Sequence, residues 1–284
     1  MDKKEVTSLV KNLQSTRKLH NGVEIPYVGL GVYKMEDHDE AVRAIKNAIE
    51  IGYRSIDTAS FYNNEVSVGQ AVKESGVSRE DLFITSKVWN DDQGYDSTLK
   101  SFEESLKRLD MGYMDLYLIH WPVAGKYKDT WKAFERLYDE GLIKAIGVSN
   151  FNQHHLEDLM KNSNEKPVIN QIELHPRLSQ QALRDFCKKQ DIAVEAWSPI
   201  ARGRLLDEPT LNHIAGKYNK TAAQVILRWH LQNDTIIIPK SVRESRMREN
   251  IDLFNFELSL EDLNQINSLN MDERYGADPN TFDF

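Results

Sequence analysis

The chain has 284 residues, a formal net charge of −8 and a hydrophobic content of 40%. This charge argues against nucleic acid or an anionic membrane as the main partner, and the single cysteine, Cys187, excludes an internal disulfide framework. Because the N-terminal residues contain no apolar signal region and no run of about 18 apolar residues occurs, we predict a cytoplasmic protein. No low-complexity segment or Pro/Gly/Ser linker divides the chain, so we predict one domain over 1–284.

The first elements predicted along the chain are a β-hairpin, a strand and a helix. The Asn-Gly dipeptide at 21–22 favours a tight hairpin turn between short apolar stretches. Residues 27–33 form the first predicted barrel strand, and its two glycines would let another group approach the backbone closely. Residues 39–51 follow as an amphipathic helix, with apolar side chains at helical spacing.

From residue 54 onward a strand and helix unit repeats. The predicted strands are 54–57, 82–87, 115–120, 143–149, 168–174, 193–198 and 235–239. The predicted helices are 65–75, 97–109, 128–140, 153–161, 179–190, 207–218 and 221–232, with two more near 243–251 and 259–269. With the first strand, this alternation predicts an α/β fold, a closed (β/α)8 TIM barrel with an N-terminal hairpin and extra C-terminal helices.

The ends of the predicted strands carry polar side chains that a barrel would bring to one rim. They are Asp57, Lys87, His120, Ser149, Asn150, Gln171, Trp197, Ser198, Lys240 and Ser241. Taken singly, such residues are most often helix caps, solvated charges or packed strand ends. A carboxylate at a buried strand end is costly without a cationic partner, and Tyr62 adds a phenol five residues after Asp57. The ring as a whole therefore predicts an active site for proton chemistry.

Five motifs, read in order, resemble the aldo-keto reductases from about residue 19 to residue 270. They are Gly52-Tyr-Arg-Ser-Ile-Asp-Thr-Ala with Glu65 and Gly69 beyond it, Thr85-Ser-Lys-Val-Trp89, Leu118-Ile-His-Trp-Pro122, Gly147-Val-Ser-Asn-Phe151, and Ile238-Pro-Lys-Ser-Val242 with Arg246, Glu249 and Asn250. The chain is most similar to bacterial glyoxal, methylglyoxal and 2,5-diketogluconate reductases. The resemblance implies NADPH binding without a Rossmann fold, and no G-x-G-x-x-G joins a predicted strand to a helix.

The resemblance places the family's catalytic tetrad on Asp57, Tyr62, Lys87 and His120. Tyr62 would be the general acid, and the Lys87 ammonium would lower the pKa of its phenol by stabilising the phenolate. Asp57 would pair with Lys87 and offset the cost of burying either charge alone. His120 would orient the carbonyl and donate a hydrogen bond to its oxygen as negative charge develops.

The resemblance also implies a set of cofactor-binding residues. Ser149, Asn150 and Gln171 would hydrogen-bond the nicotinamide carboxamide, and Trp197 would stack on its ring. The remaining members are Gly31, Val32, Asp57, Ser198, Leu205, Lys240, Ser241, Val242, Arg246, Glu249 and Asn250. Among these, Lys240, Ser241 and Arg246 combine cations with a hydroxyl group, which suits the ribose 2′-phosphate and predicts NADPH rather than NADH.

The predicted substrate site has an apolar wall made of Tyr33, Trp89 and Trp121, with His120 beside it. The connection after Pro122 is short and the tail after residue 271 is brief, so we expect an open, shallow site. Small aldehydes and 2-oxoaldehydes such as glyoxal and methylglyoxal fit such a site, as do aromatic aldehydes and some ketones. No histidine spacing suggests a metal site.

Three alternatives are left open by the sequence. The first is a reductase of keto-sugars such as 2,5-diketogluconate. The second is an NADPH-binding regulatory subunit without catalysis, which the intact tetrad opposes. The third is a Schiff-base lyase with Lys87 as nucleophile, which its pairing with Asp57 would oppose because a nucleophilic lysine must be uncharged. We expect a monomer, following the bias of the family.

Overall fold

A computed structural model describes residues 10–284 of the chain and contains a parallel β-barrel. The strands are β1 Thr16–Lys18, β2 Glu24–Pro26, β3 Leu30–Gly31, β4 Ser55–Asp57, β5 Phe83–Val88, β6 Leu116–Ile119, β7 Ile146–Ser149, β8 Ile169–Glu173, β9 Ala193–Trp197 and β10 Thr235–Ile237. β1 and β2 form the antiparallel hairpin, and β3 to β10 follow one another as parallel neighbours in a single sheet. The predicted (β/α)8 architecture is therefore confirmed.

Close backbone contact between the first and last barrel strands closes the sheet. Val28 pairs with Ile237 in parallel, and the Gly29 N–H donates to the Ile237 carbonyl oxygen at 2.8 Å. A Cβ added at Gly31 would lie 2.8 Å from the Ile238 carbonyl oxygen, which leaves no room for a side chain. The close approach that the glycines predicted is thus the approach of the chain's own last strand.

Ten α-helices are found among residues 10–284. They are α1 His38–Ile51, α2 Glu65–Glu74, α3 Tyr95–Leu109, α4 Tyr127–Asp139, α5 Gln153–Met160, α6 Gln181–Lys189, α7 Pro209–Tyr218, α8 Ala222–Gln232, α9 Glu244–Ile251 and α10 Leu260–Asn267. Each predicted helix matches one of them, with ends that differ by a few residues. The buried faces of α1 to α6 and α9, with part of α8, belong to the main hydrophobic core, which also contains the barrel strands. The buried residues of α7 and α10 and the rest of α8 form a second cluster, which includes Leu211, Trp229 and Ile266.

Local chemistry explains where several helices begin and how closely they pack. The Asp37 side chain accepts a hydrogen bond from the Glu40 N–H and caps α1, and Thr221 caps α8 in the same way through Gln224. α2 packs so closely on the end of α3 that a Cβ at Gly69 would lie 2.3 Å from the Leu109 carbonyl oxygen. This glycine therefore has a packing role, and the helix pair depends on it.

Among residues 10–284, no helix is both long enough and apolar enough to cross a membrane. The predicted lack of an N-terminal targeting signal rests partly on residues 1–9, which lie outside the described part of the chain.

Candidate active site

An ion pair between Lys87 and Asp57 lies at the centre of the candidate site. The Lys87 Nζ atom is 2.6 Å from Asp57 Oδ1, and it also donates to the Thr58 carbonyl oxygen at 2.8 Å. The Tyr62 hydroxyl lies 3.4 Å from the same ammonium, held there by a 3₁₀ turn over Ser60–Tyr62. Because the side chains of Lys87 and Asp57 are only 0% and 4% exposed, each charge depends on the other.

The pKa values at this centre decide which groups carry protons. Burial lowers the pKa of Lys87, but attraction to Asp57 and Tyr62 more than offsets it, so the net shift is upward and the amine stays charged. Burial raises the pKa of Tyr62 to about 12, although Lys87 lowers it, and Asp57 adds to the rise. Lys87 therefore acts on the Tyr62 pKa in the expected direction, but the net shift is upward because desolvation of the phenolate outweighs the nearby ammonium. A charged, fully paired Lys87 also opposes the Schiff-base alternative.

His120 follows β6 and faces the same centre. Burial, and then repulsion from Lys87, lowers its pKa well below the ordinary 6.5, so the imidazole is neutral at pH 7 and has one N–H to donate. Its Nδ1 atom is buried and has no hydrogen-bond partner among the described residues. The ring centroids of Tyr62 and Trp89 lie 5.6 Å and 5.0 Å from that of His120. The imidazole thus keeps unused hydrogen-bonding capacity in an aromatic surrounding.

Aromatic rings surround this polar centre on several sides, as predicted for the substrate wall. Tyr33 lies 4.9 Å from Tyr62 between ring centroids, and Phe61 stacks on Trp89 at 3.8 Å. Tyr33 and Phe61 are 43% and 44% exposed, so the wall reaches the surface of the molecule. Trp121 is buried at the end of β6. The structure therefore brings Tyr33 and Trp89 to the tetrad, and Trp121 directly follows His120 in the chain.

The tail beyond α10 crosses the mouth of the site, which corrects the expectation of an open, shallow pocket. The Phe282 ring packs on Trp121 at 5.0 Å, and the Phe284 ring lies parallel to Trp89 at 5.9 Å. Asn90 Nδ2 also donates to the Phe284 carbonyl oxygen at 2.9 Å. Although it is short, the tail therefore reaches the predicted substrate wall.

Glu173, at the end of β8, anchors this tail. Its carboxylate accepts from the Tyr275 N–H at 2.7 Å and from the Gly276 N–H at 3.1 Å, and the His175 ring lies 3.1 Å away. A Cβ on Gly276 would meet the Trp197 ring at 2.4 Å. The tail backbone at Gly276 is therefore in close contact with Trp197, the residue predicted to stack on the nicotinamide.

The residues predicted to contact the carboxamide are linked in one network on the far side of the tetrad. Gln171 Nε2 donates to Asp57 Oδ2 at 2.7 Å, and the Ser149 hydroxyl donates to the main-chain carbonyl oxygen of Gln171 at 2.9 Å. Asn150 donates to the His120 carbonyl oxygen, and its Oδ1 atom accepts from Trp197 Nε1 at 2.8 Å. The network joins the tetrad to the predicted nicotinamide residues through buried hydrogen bonds, which fix their orientation.

The predicted 2′-phosphate residues follow β10, outside the barrel interior. Lys240 and Arg246 are exposed, and neither has an acidic partner within 4.0 Å among residues 10–284. Ser241 is buried, and its hydroxyl group accepts from the Arg243 N–H at 3.0 Å. Two unpaired cations beside a hydroxyl group fit a phosphate dianion, so the donor set suits the predicted nucleotide.

The other predicted cofactor residues are spread over several segments of the chain. Gly31 and Val32 adjoin Asp57, whose carbonyl oxygen accepts from the Val32 N–H at 3.1 Å. Ser198 has a left-handed backbone with φ of 49°, Leu205 and Asn250 are buried, and Val242 and Glu249 are half-buried. Glu249 Oε1 accepts from the Thr221 hydroxyl at 2.7 Å, so this carboxylate already supports the start of α8.

The sequence analysis missed Glu195, a fully buried carboxyl group in the middle of β9. Gln171 Nε2, which bonds Asp57, also donates to Glu195 Oε2 at 2.6 Å. Burial, and then repulsion from Asp57, raises the pKa of Glu195 to about 8. The available signal was a lone acid in the apolar strand Ala193–Trp197, which is expensive to bury without a role.

Comparison with known proteins agrees with this geometry. The model of the aldo/keto reductase family matches residues 28–271. Glyoxal reductase of Bacillus subtilis is 60% identical over 94% of this chain and 97% of its own length, and methylglyoxal reductase of Escherichia coli is 45% identical over 93% and 97%. The crystal structure of a mutant of Gox0644 in complex with NADPH superposes with a TM-score of 0.91, at 46% identity over 95% of this chain and 99% of that one. The chain belongs to the aldo/keto reductase family.

Proposed function

We propose that the protein reduces glyoxal, methylglyoxal and related aldehydes to alcohols with NADPH. The observation that carries this proposal is the meeting of Tyr62, Lys87, Asp57 and His120 beside a wall of aromatic side chains. The similarity to glyoxal and methylglyoxal reductases supports the substrate class, and the likeness to an NADPH-bound structure supports the cofactor.

NADPH, when bound, supplies the hydride that reaches the carbonyl carbon. Ser149, Asn150 and Gln171 would hold the carboxamide, Trp197 would stack on the ring, and Lys240 and Arg246 would hold the 2′-phosphate. Because both N–H groups of the Gln171 amide are already donated, only its carbonyl oxygen is left to accept from the carboxamide.

Tyr62 is the proton donor in this proposal. With a pKa of about 12 the phenol is fully protonated at neutral pH, and it faces the pocket beside His120. An alkoxide is far more basic than a phenolate, so transfer of the Tyr62 proton to the substrate oxygen is still favourable. His120 donates its N–H to the same oxygen as charge develops there, and Lys87 stabilises the phenolate that remains.

A steady-state assay tests the proposal. NADPH absorbance is followed with glyoxal, methylglyoxal, an aromatic aldehyde and a keto-sugar, and each is repeated with NADH. The proposal expects the highest kcat/KM with the 2-oxoaldehydes and a clear preference for NADPH. Tight NADPH binding without turnover of any carbonyl would instead support the regulatory alternative, and preference for the keto-sugar would support that alternative substrate.

We also propose that residues 1–284 form one domain, that the protein is a cytoplasmic monomer, and that nucleic acid and membranes are not its partners. The lone Cys187 supports a reducing compartment, and the net charge of −8 argues against nucleic acid and anionic membranes as partners. Light scattering coupled to gel filtration tests the oligomeric state, and a dimer mass would refute that part.

A further inference from the structure

The barrel interior contains two carboxyl groups but one ammonium. Asp57 on β4 and Glu195 on β9 both approach the amide nitrogen of Gln171 on β8, at 2.7 Å and 2.6 Å. The ammonium of this group belongs to Lys87 on β5, whose Nζ atom lies 2.6 Å from Asp57 Oδ1. The proposed chemistry uses Asp57 and Lys87 but gives no role to the second carboxyl group.

Gln171 connects the second carboxyl group to the cofactor residues. An amide NH2 group has two hydrogens, and here one goes to each carboxyl group, so the rotation of the amide is fixed. If Glu195 were removed, one hydrogen would be unpaired, and turning the amide over would cost only the remaining bond to Asp57. The carbonyl oxygen of Gln171 would then no longer be held towards the carboxamide.

The surroundings of Glu195 make its charge matter. Two charged groups act on the pKa of Glu195: Asp57 on β4 raises it and Lys87 on β5 lowers it. On β10, the residue paired with Glu195 in register is the apolar Ile236. Tyr62 adjoins Lys87, and its phenol is neutral. With Glu195 protonated, the group of Asp57, Lys87 and Glu195 is neutral, whereas ionisation gives it one uncompensated negative charge.

We propose that Glu195 is a positioning residue for the nicotinamide, which holds the Gln171 amide with its carbonyl oxygen towards the cofactor and sets the net charge beneath the ring. This inference rests on the proposed function in assuming that a nicotinamide binds beside Gln171. The ring is neutral in NADPH and cationic in NADP⁺, so a negative charge beneath it favours NADP⁺. Glu195 therefore makes the preference between the two cofactor forms depend on pH.

The sign follows from the protonation state. Burial and then Asp57 raise the pKa of Glu195 to about 8, so its charge appears as the pH rises through that value. Over this range the pKa of Tyr62 is near 12 and that of His120 is well below 6.5, so neither changes its charge. If NADP⁺ binding lowers the Glu195 pKa by one unit more than NADPH binding does, the ratio of the two Kd values changes about tenfold across the transition.

The experiment measures Kd for NADPH and for NADP⁺ by quenching of protein fluorescence, from about pH 6.5 to 9.5, in wild type, E195A, E195Q and V194A. Val194 is the matched truncation control, because it is the next residue on β9 and points away from Gln171. Taking the ratio of the two Kd values cancels titration of the 2′-phosphate, which both cofactors share. Neither measurement needs a substrate.

In wild type and V194A the ratio Kd(NADP⁺)/Kd(NADPH) should fall about tenfold as the pH rises through about 8. E195A should weaken NADPH binding about tenfold at the low end of the range, since a hydrogen bond to the amide is lost and the carbonyl is released. E195Q should restore most of that affinity, because its amide oxygen still accepts from Gln171, but the pH dependence of the ratio should be absent. An unchanged pH dependence in E195Q, or NADPH affinity in E195A equal to that of V194A, would overturn the proposal.

A cofactor-free measurement separates this proposal from the proposed function. A carboxyl group whose pKa is higher in the folded state than in the unfolded state loses its stabilising contribution as the pH rises between those two values. The Tm of E195Q minus that of wild type should therefore increase from about pH 5 to 8 and then level off. A constant difference would mean that Glu195 does not carry a proton in the folded protein, whatever carbonyl the enzyme reduces.

Discussion

The buried ion pair between Lys87 and Asp57 can be tested by a double-mutant cycle on stability. The variants are K87M, D57N and the double variant, each of which keeps the approximate volume of the native side chain. The two side chains are 0% and 4% exposed, and the ammonium and the carboxylate are 2.6 Å apart. Removing one partner leaves a buried charge alone and should cost about 3–5 kcal/mol.

The double variant should recover most of that loss, because it buries neither charge. At about 2 °C per kcal/mol for a chain of this size, each single variant should lower the Tm by about 6–10 °C, and the double variant by far less than the sum. Measurement of Tm for the four proteins at pH 7 gives the coupling energy. All three variants should lose reductase activity, which separates the contribution to catalysis from the contribution to stability.

An exposed pair provides the matched control. Lys46 and Glu74 make an ion pair at 2.8 Å, but their side chains are 39% and 43% exposed, so the cycle K46M and E74Q should show a coupling energy far smaller than that of the buried pair. Additive losses in the K87M and D57N cycle, or a coupling no larger than that of the exposed pair, would refute the view that these two residues form a mutually dependent buried pair.

Three further predictions concern catalysis and cofactor choice. Tyr62→Phe should lower kcat with glyoxal by about 10²–10⁴-fold, the contribution of general acid catalysis, and leave the Kd of NADPH near that of wild type; near-native turnover would exclude Tyr62 as the acid. Lys240→Ala and Arg246→Ala should each raise KM for NADPH about tenfold or more through loss of a charge-assisted hydrogen bond, with little effect on KM for NADH, and equal effects on both cofactors would contradict the 2′-phosphate site. Because burial and Lys87 lower the pKa of His120 well below 6.5, kcat/KM should be flat from about pH 6 to 7.5. A limb near pH 6.5 that disappears in His120→Gln would contradict a neutral imidazole.

The barrel could be predicted from sequence because its signal is local and repeated. Each strand is a short apolar run, such as Leu116–Ile119, followed by a helix with one apolar face, such as Tyr127–Asp139. The tetrad could be placed because parallel strands end at one rim, so that Asp57 and Lys87 meet although 30 residues apart.

Features that depend on distance or burial could not be predicted in the same way. Gln171 and Glu195 meet because β8 and β9 pair with these two residues in register, and a sequence does not give that register. Phe284 of the tail contacts Trp89, and Glu173 holds the tail by hydrogen bonds to its backbone. No periodic pattern in the sequence predicts these contacts. The direction of the Tyr62 pKa shift depends on how much solvent is excluded, which outweighed the Lys87 charge.

The protonation states of Tyr62 and Glu195 together predict how reduction depends on pH. When Tyr62 gives up its proton, the phenolate and Asp57 share the Lys87 ammonium, and a protonated Glu195 adds no further negative charge. Ionisation of Glu195 above its pKa of about 8 would raise the energy of that phenolate through like-charge repulsion. Reduction should therefore weaken from about pH 8 upward, well below the value of about 12 at which Tyr62 itself would lose its proton. An alkaline limb that moves upward in Glu195→Gln would assign it to the carboxyl group, and a limb that stays in place would assign it to another group.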